Sequence, residues 1–338
     1  EEYQVYKNKI LKTSDKKIIK KINFKFKINT KKKQNFLQNN LILKETLGIK
    51  KNINFKGFSI DTRTIKKNNL FLAIKGKNND GHNYIKEAFL KGASNCVISK
   101  KLNKFSKNKV IKVSNTYNFL KKLAILKRNN TSGQIIAVTG SSGKTTVKDT
   151  IGNLLKNYGK TYFSPRSFNN SYGVPLSMCN FEQDHKYGVF EIGMSRKGEI
   201  DTLSKIVKPN IAIITNIAEA HIENFKNLNQ IAKAKGEIIE NISISGSLII
   251  DRDNKFYNYF KSEAEKRKIK VISVGYNNKS DIKIKKEKNF IKYKLITIKS
   301  FKKEYKLKIK GQLIKNIIFA VAVLEVLNLD INKIKNKI

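Results

Sequence analysis

The stretch AVTGSSGKTTVKDTI, Ala137 to Ile151, leaves the chain few folds to choose from. Ile135 to Thr139 is short and β-rich, as a strand buried on both faces should be. Gly140-Ser141-Ser142-Gly143 then turns the chain, and a helix opens at Lys144. The start of a helix leaves backbone N–H groups unsatisfied and carries partial positive charge, so it attracts phosphate oxygens. Gly140 and Gly143 let the backbone come close, Lys144 supplies a point charge for the β- and γ-phosphates, and the Thr145 hydroxyl can ligate Mg²⁺. Ser141, Ser142 and Thr146 complete the expected nucleotide site. An ordinary Gly/Ser turn into a helix is the blander reading, but strand, turn, Gly-Lys-Thr-Thr and helix in that order favour phosphate. The general nucleotide loop carries glycine where this chain has Val138, so this is a shortened T-G-x-x-G-K-T-T version.

Around this loop the pattern is α/β. Tyr187 to Gly193, Asn210 to Thr215, Ser247 to Asp251 and Lys270 to Gly275 read as further buried strands. Helical segments at Lys144 to Asn157, Glu199 to Val207 and Leu228 to Asn241 separate them, which implies a mainly parallel sheet flanked by helices. After Ser280 the alternation of DIKIKK and KYKLITIK predicts antiparallel ribbons, and an apolar helix is expected from Ile314 to Leu327. Upstream, a smaller mixed α/β unit is expected. Its strands are Leu70 to Gly76, CVIS and KVIKVS, and its helices Asn83 to Lys91 and Thr116 to Arg128. The polar stretch RNNTSG divides the two units, giving domains at 41–130 and 131–338. Residues 1–40 are Lys/Asn-rich and fit either strand or disorder.

The formal charge of +44 would ordinarily raise nucleic-acid binding. Yet arginine occurs at six positions, and arginine is the usual reader of phosphates and guanine edges. Lysine comes with Asn and Ile throughout, as in KKNINFKG, which fits compositional drift better than a dedicated surface. No nucleic-acid partner is therefore expected. A basic NTP-dependent nucleic-acid-binding protein remains the rival from another class, and it would show lysines clustered on one face. Cys96 and Cys179 form no ligand-spaced cluster, so neither a disulfide framework nor a zinc site is implied, and a cytoplasmic setting fits. No apolar run reaches the roughly 20 residues of a membrane helix.

The shortened loop resembles that of the Mur ligases and folylpolyglutamate synthetases, ATP-dependent enzymes that join an amine to a carboxylate through an acyl phosphate. FSIDTRTIKKNNLFLAIKGKNNDGHNYIKEAFLKGA, Phe58 to Ala93, resembles the N-terminal UDP-binding domain of the later Mur ligases. SFNNSYGVPLSM, FEIGMSRKGEI and ITNIAEAHIENFKNLNQIAKAKGEI resemble the branch that adds D-alanyl-D-alanine to UDP-N-acetylmuramoyl-tripeptide in peptidoglycan precursor synthesis. The resemblance runs from about Leu41 to the end of the chain. It implies ATP and Mg²⁺ as cofactors, the tripeptide and D-alanyl-D-alanine as partners, and a monomer. The family's third, C-terminal domain has no counterpart here, so the chain is expected to be truncated and to hold nucleotide without turnover. The tripeptide-forming Mur ligase is the nearest alternative.

The resemblance also assigns roles. Glu191, in FEIG at the end of a buried strand, matches a Mg²⁺-binding glutamate, although spacing alone would allow a capping or solvent-facing residue. His221, just beyond the strand Asn210 to Thr215, matches a second-metal histidine. Lys235 matches a lysine that is carbamylated, which turns a cation into a metal-holding anion; Lys233 is its competitor in a lysine-rich chain. Catalysis would then rest on Lys144, His221 and Lys235. Asn169, Asn170 and Gly173 match a substrate loop, though Asn and Gly before Pro175 equally suit a plain turn. Asp61, Thr62 and Arg63 match a uridine-diphosphate-binding stretch, and His82 in DGHNY is either a nucleotide contact or a structural cap. Asn316 matches an adenine contact, in a motif whose expected histidine is Leu313 here.

Overall fold

The computed structural model describes residues 40–44, 48, 53–101, 105–219, 224–301, 303–310 and 314–334. The expectations for 1–39, for His221 and for Leu313 lie outside the described residues.

The first unit is a four-stranded parallel sheet in the order β1-β2-β3-β4, from β1 (Gly57–Ser59), β2 (Asn69–Leu72), β3 (Asn95–Ile98) and β4 (Val110–Lys112). Between β2 and β3 lie a 3-10 turn, Gly81–Tyr84, and helix α1 (Ile85–Leu90). Helix α2 (Thr116–Asn129) follows β4, with the Asn115 side chain accepting from the Asn118 N–H at its start, which satisfies one of the free donors there.

The second unit opens with β5 (Gln134–Thr139), α3 (Lys144–Leu155), β6 (Thr161–Phe163), α4 (Gly173–Cys179), β7 (Tyr187–Glu191), α5 (Glu199–Val207) and β8 (Ile211–Ile214). It continues with α6 (Leu228–Gly236), β9 (Ser247–Asp251), α7 (Tyr257–Lys266), β10 (Lys270–Gly275), β11 (Ile282–Asn289), β12 (Lys294–Ser300), β13 (Lys303–Ile309) and α8 (Ile314–Val326). Its sheet runs in the order β13-β12-β11-β10-β9-β8-β5-β7-β6. All pairings are parallel up to β11, and β11 to β13 are antiparallel, as their alternating sequence predicts.

The fold is the expected α/β architecture, and the differences from the sequence reading are local. The strand expected over Leu70 to Gly76 ends at Leu72, and the helix expected over Leu228 to Asn241 tightens to 3-10 geometry from Glu237. Strands β1 and β6 have three residues each, too few for periodicity to register. Helix α4 lies where Asn, Gly and Pro read as a turn. Pro175 is tolerated because it sits in the first turn, where the Val174 and Leu176 N–H groups on either side carry the helical bonds, to the Asn170 and Tyr172 carbonyls.

Two apolar cores enclose the larger sheet. One lies between α3, α8 and one sheet face, with Val138, Val147, Ile151, Ile213, Ile317 and Val321 fully buried. The other joins the two units: Phe58 and Leu70 of the small sheet pack in one cluster with Leu120 and Leu123 of α2, Val174 of α4 and Leu203 of α5. Arg128, at the end of α2, donates from Nε to the Val207 carbonyl at 2.7 Å and from Nη2 to the Lys208 carbonyl at 2.6 Å. These bonds pin α2 to the end of α5.

Candidate active site

Parallel neighbours bring their C-terminal ends to one edge of a sheet, where ligands bind in open α/β folds. Val138 pairs with Glu191, and Thr139 with Ile214. The loop after β5, the end of β7 and the segment after β8 therefore lie side by side.

Gly140 has φ +148°, and a Cβ there would fall 1.9 Å from Thr215 Oγ1, so no larger residue fits. The Thr215 hydroxyl donates to the Ser142 carbonyl at 2.7 Å. Asn216 Oδ1 accepts from the Ser142 N–H at 2.9 Å, and its amide nitrogen donates to Ser142 Oγ at 2.8 Å. Ser141 Oγ donates to the Ala218 carbonyl at 2.9 Å and accepts from the Ala218 N–H at 3.0 Å. Both serines are thus tied to the segment after β8. Gly143, at φ +77°, caps α3, and Thr146 is exposed on the first turn.

Two lysines share one oxygen. Lys144 Nζ donates to the Gly140 carbonyl at 2.9 Å and to the Ser141 carbonyl at 3.2 Å, and Lys235 Nζ donates to the same Gly140 carbonyl at 2.9 Å. Lys235 is 2 % exposed. Burial, assisted by the neighbouring Lys144 charge, brings its ammonium down to about 7. Burial also lowers Lys144, against the opposing pull of Glu191.

Glu191 is 1 % exposed, and both its oxygens are used. Oε2 accepts from Thr145 Oγ1 at 2.7 Å and Oε1 from Asn169 Nδ2 at 2.7 Å. Asn170 turns the other way: its Oδ1 accepts from the N–H groups of Tyr172 at 3.1 Å and Gly173 at 2.9 Å, where α4 begins. Gly173 packs so closely that an added Cβ would lie 2.7 Å from the Phe168 backbone.

Two cavities meet at Asn170. One, of about 570 Å³, is lined by Ser141, Lys144, Asn169, Asn170, Arg196 and Lys235. The other, of about 560 Å³, is lined by Asp61, Thr62, Arg63, Tyr84, Asn170 and Gly173, and so draws on both units. Arg63 clasps Asp61, donating from Nη2 to Oδ2 at 2.7 Å and from Nε to Oδ1 at 3.0 Å; this hydrogen bonding holds the Asp61 carboxyl below its usual range. Thr62 is buried and Arg63 exposed.

His82 resolves as a structural brace. Its Nδ1 lies 2.5 Å from Asp80 Oδ1, and its Nε2 accepts from the Ser99 N–H at 3.0 Å, which leaves neither nitrogen for a ligand. Asn316 is 5 % exposed on α8, its Oδ1 lies 3.5 Å from where a Gly143 Cβ would stand, and its Nδ2 has no partner among the described residues. Sequence reading passed over Thr215 and Asn216, although their place directly after β8, at the sheet's ligand edge, marks them.

Known proteins resemble this chain in sequence and in fold. Residues 138–324 match the Mur ligase middle domain and residues 54–128 the Mur ligase family catalytic domain. The UDP-N-acetylmuramoyl-tripeptide--D-alanyl-D-alanine ligase of Rickettsia prowazekii is 38 % identical over 73 % of this chain and 55 % of its own length. The enzyme of that name from Bacillus subtilis is 37 % identical over 57 % of this chain and 42 % of its own. The chain thus spans about half the length of the curated relatives it matches. MurF from Acinetobacter baumannii superposes with a TM-score of 0.76 at 25 % identity, covering 88 % of this chain and 66 % of that one. MurF from Thermotoga maritima, solved in complex with ADP, gives 0.69 at 29 % identity, covering 83 % and 66 %.

Proposed function

The chain belongs to the Mur ligase family, and from that membership we propose that it carries the UDP-substrate-binding and ATP-binding parts of a ligase that adds D-alanyl-D-alanine to UDP-N-acetylmuramoyl-tripeptide. The observation that carries the reading is the convergence of Lys144, Thr145, Glu191, Asn169 and Lys235 on one sheet edge, beside a cavity that reaches Asp61, Thr62 and Arg63. In this reading 41–130 is the UDP-binding domain and 131–338 the ATP-binding domain. The protein acts as a monomer in the cytoplasm, in peptidoglycan precursor synthesis. Among the described residues, no helix is long and apolar enough to cross a membrane.

Joining a carboxylate to an amine in water requires first making the carboxylate a better electrophile, by transfer of a phosphoryl group to it. Two anions must then meet, and their repulsion in a partly shielded site amounts to several kcal/mol. Gly140, Ser141, Ser142, Gly143 and Thr146 would cradle the phosphates, and Lys144 would lay its charge along them. Asn316 would offer its unpartnered amide to the adenine. On the acceptor side, Asp61, Thr62 and Arg63 would hold the uridine diphosphate, and Asn169, Asn170 and Gly173 would align the peptide so that its carboxylate faces the γ-phosphate.

Mg²⁺ prefers hard oxygen donors, and the Thr145 hydroxyl and Glu191 carboxylate, in contact at the sheet edge, are such a pair. They would hold the ion, with His221 and a carbamylated Lys235 as further ligands. When bound, the ion supplies charge neutralisation between carboxylate and phosphate. The lowered Lys235 ammonium supports carbamylation, because only the neutral amine attacks carbon dioxide.

The test is phosphate release from ATP by the full-length ligase that contains this chain. It should require both UDP-N-acetylmuramoyl-tripeptide and D-alanyl-D-alanine, and should collapse in Glu191→Gln. Release driven by RNA or DNA and indifferent to those two compounds would refute the assignment.

A further inference from the structure

A buried ammonium persists in a fold only when oxygens replace its lost water. Lys148, one turn beyond Lys144 on α3, is 0 % exposed. Its Nζ donates to the Ser164 carbonyl at 2.7 Å and the Arg166 carbonyl at 2.7 Å, and lies 3.1 Å from Asp149 Oδ1.

These bonds occur where the chain leaves the sheet. Strand β6 lies at the edge and pairs in parallel with β7, and the ladder continues one step further through the Ser164 N–H to the Val189 carbonyl at 3.0 Å. The next regular bond would run from the Glu191 N–H to the Ser164 carbonyl. Instead the Glu191 N–H donates to Ser164 Oγ at 3.2 Å, and the carbonyl turns to Lys148. The ladder ends there. Arg166 takes a left-handed φ of +47°, unfavourable for a residue with a side chain, and its carbonyl meets the same ammonium. Three residues on, Asn169 accepts at its carbonyl from the Gly193 N–H at 2.8 Å and donates from Nδ2 to Glu191.

We propose that Lys148 is a positioning residue: its ammonium fixes the exit of the 164–170 segment from the sheet, and so sets Asn169 and Asn170 for the muramoyl peptide. The proposal rests on the ligase reading given above. It makes the phosphate-loop helix the support of the substrate loop as well.

The purified chain is titrated calorimetrically with Mg²⁺-ADP and, separately, with UDP-N-acetylmuramoyl-tripeptide. In Lys148→Met the tripeptide affinity should fall by about tenfold or more, the scale set by losing hydrogen bonds to a charged group, with ADP affinity within about threefold of wild type. Lys148→Gln, which keeps an N–H donor, should recover part of the loss. A merely structural lysine would lower both affinities together, and that result, or no change in either, overturns the proposal. If Lys148→Met does not fold, Lys148→Gln decides on the same ratio, and failure of both to fold also overturns it. Wild-type chain that binds ADP but not the tripeptide refutes instead the functional reading beneath.

Discussion

Replacing Lys235 by methionine keeps the length and apolar stem of the side chain and removes the ammonium. The Gly140 carbonyl keeps a partner, because Lys144 donates to it at 2.9 Å as well. The charge effect can therefore be separated from an orphaned acceptor. Burial and the Lys144 charge bring the Lys235 ammonium from 10.5 to about 7 in the folded chain. Between those values the unfolded chain holds a proton that the folded chain has released, so stability contributed by this group rises with pH across the window and is level below it. At about 1.36 kcal/mol per pH unit the full span bounds the effect at about 5 kcal/mol. The methionine variant should thus be the more stable protein below about pH 7, and its advantage should shrink steadily as the pH rises toward 10. Urea unfolding followed by circular dichroism, in buffers freed of carbon dioxide, gives both curves, and their difference cancels the titrating groups that do not interact with Lys235, leaving Lys235 and its coupling to Lys144. A difference that is flat with pH, or that grows as the pH rises, refutes the reasoning. With labelled bicarbonate restored, a carbamate carbon should appear by NMR in the wild type and be absent from the variant.

Gly140→Ala should cost about 1–3 kcal/mol of stability, the usual range for overpacking, and weaken ADP binding, because its Cβ would fall 1.9 Å from the Thr215 hydroxyl; unchanged calorimetric affinity would show that the loop yields. His82→Ala should cost a similar amount, about 1–3 kcal/mol, by leaving the Ser99 N–H without its acceptor and taking from Asp80 one of its partners, while Lys100 and the residue-82 N–H stay on that carboxylate, yet leave ADP affinity as it was. Loss of UDP-substrate affinity in that variant with no loss of stability would return His82 to the binding site.

The phosphate loop was legible because its expected chemistry and its local fold call for the same residues: glycines that permit close approach also end the strand, and the lysine expected to meet phosphate also opens the helix. Strands β9 and β10 were readable to the residue because burial on both faces leaves them uninterrupted. Helix α4 was not, since the Asn and Gly that begin it are also turn formers, and what makes it a helix is burial of all seven residues against its neighbours. Glu191 could be named only through resemblance: nothing local tells that Thr145 and Asn169, distant in sequence, arrive at its two oxygens. Lys148 was hidden by composition, since one fully buried lysine does not stand out in a chain so rich in exposed ones. His82 could be read as a contact or as a cap, and only the fold decides for the cap, because Asp80 and Ser99 occupy both ring nitrogens.

The cavity shared by the two units has walls that stand on a single apolar cluster, with Phe58 next to the Asp61 turn on one side and Val174 next to Gly173 on the other. Leu120 and Leu123 belong to the same cluster, and Arg128 fastens the far end of their helix. The width of the slot is therefore written in hydrocarbon volume, at positions that do not line it. A methylene added or removed there re-spaces the walls, so selection acting on what the slot accepts can work through residues whose only visible trade is packing.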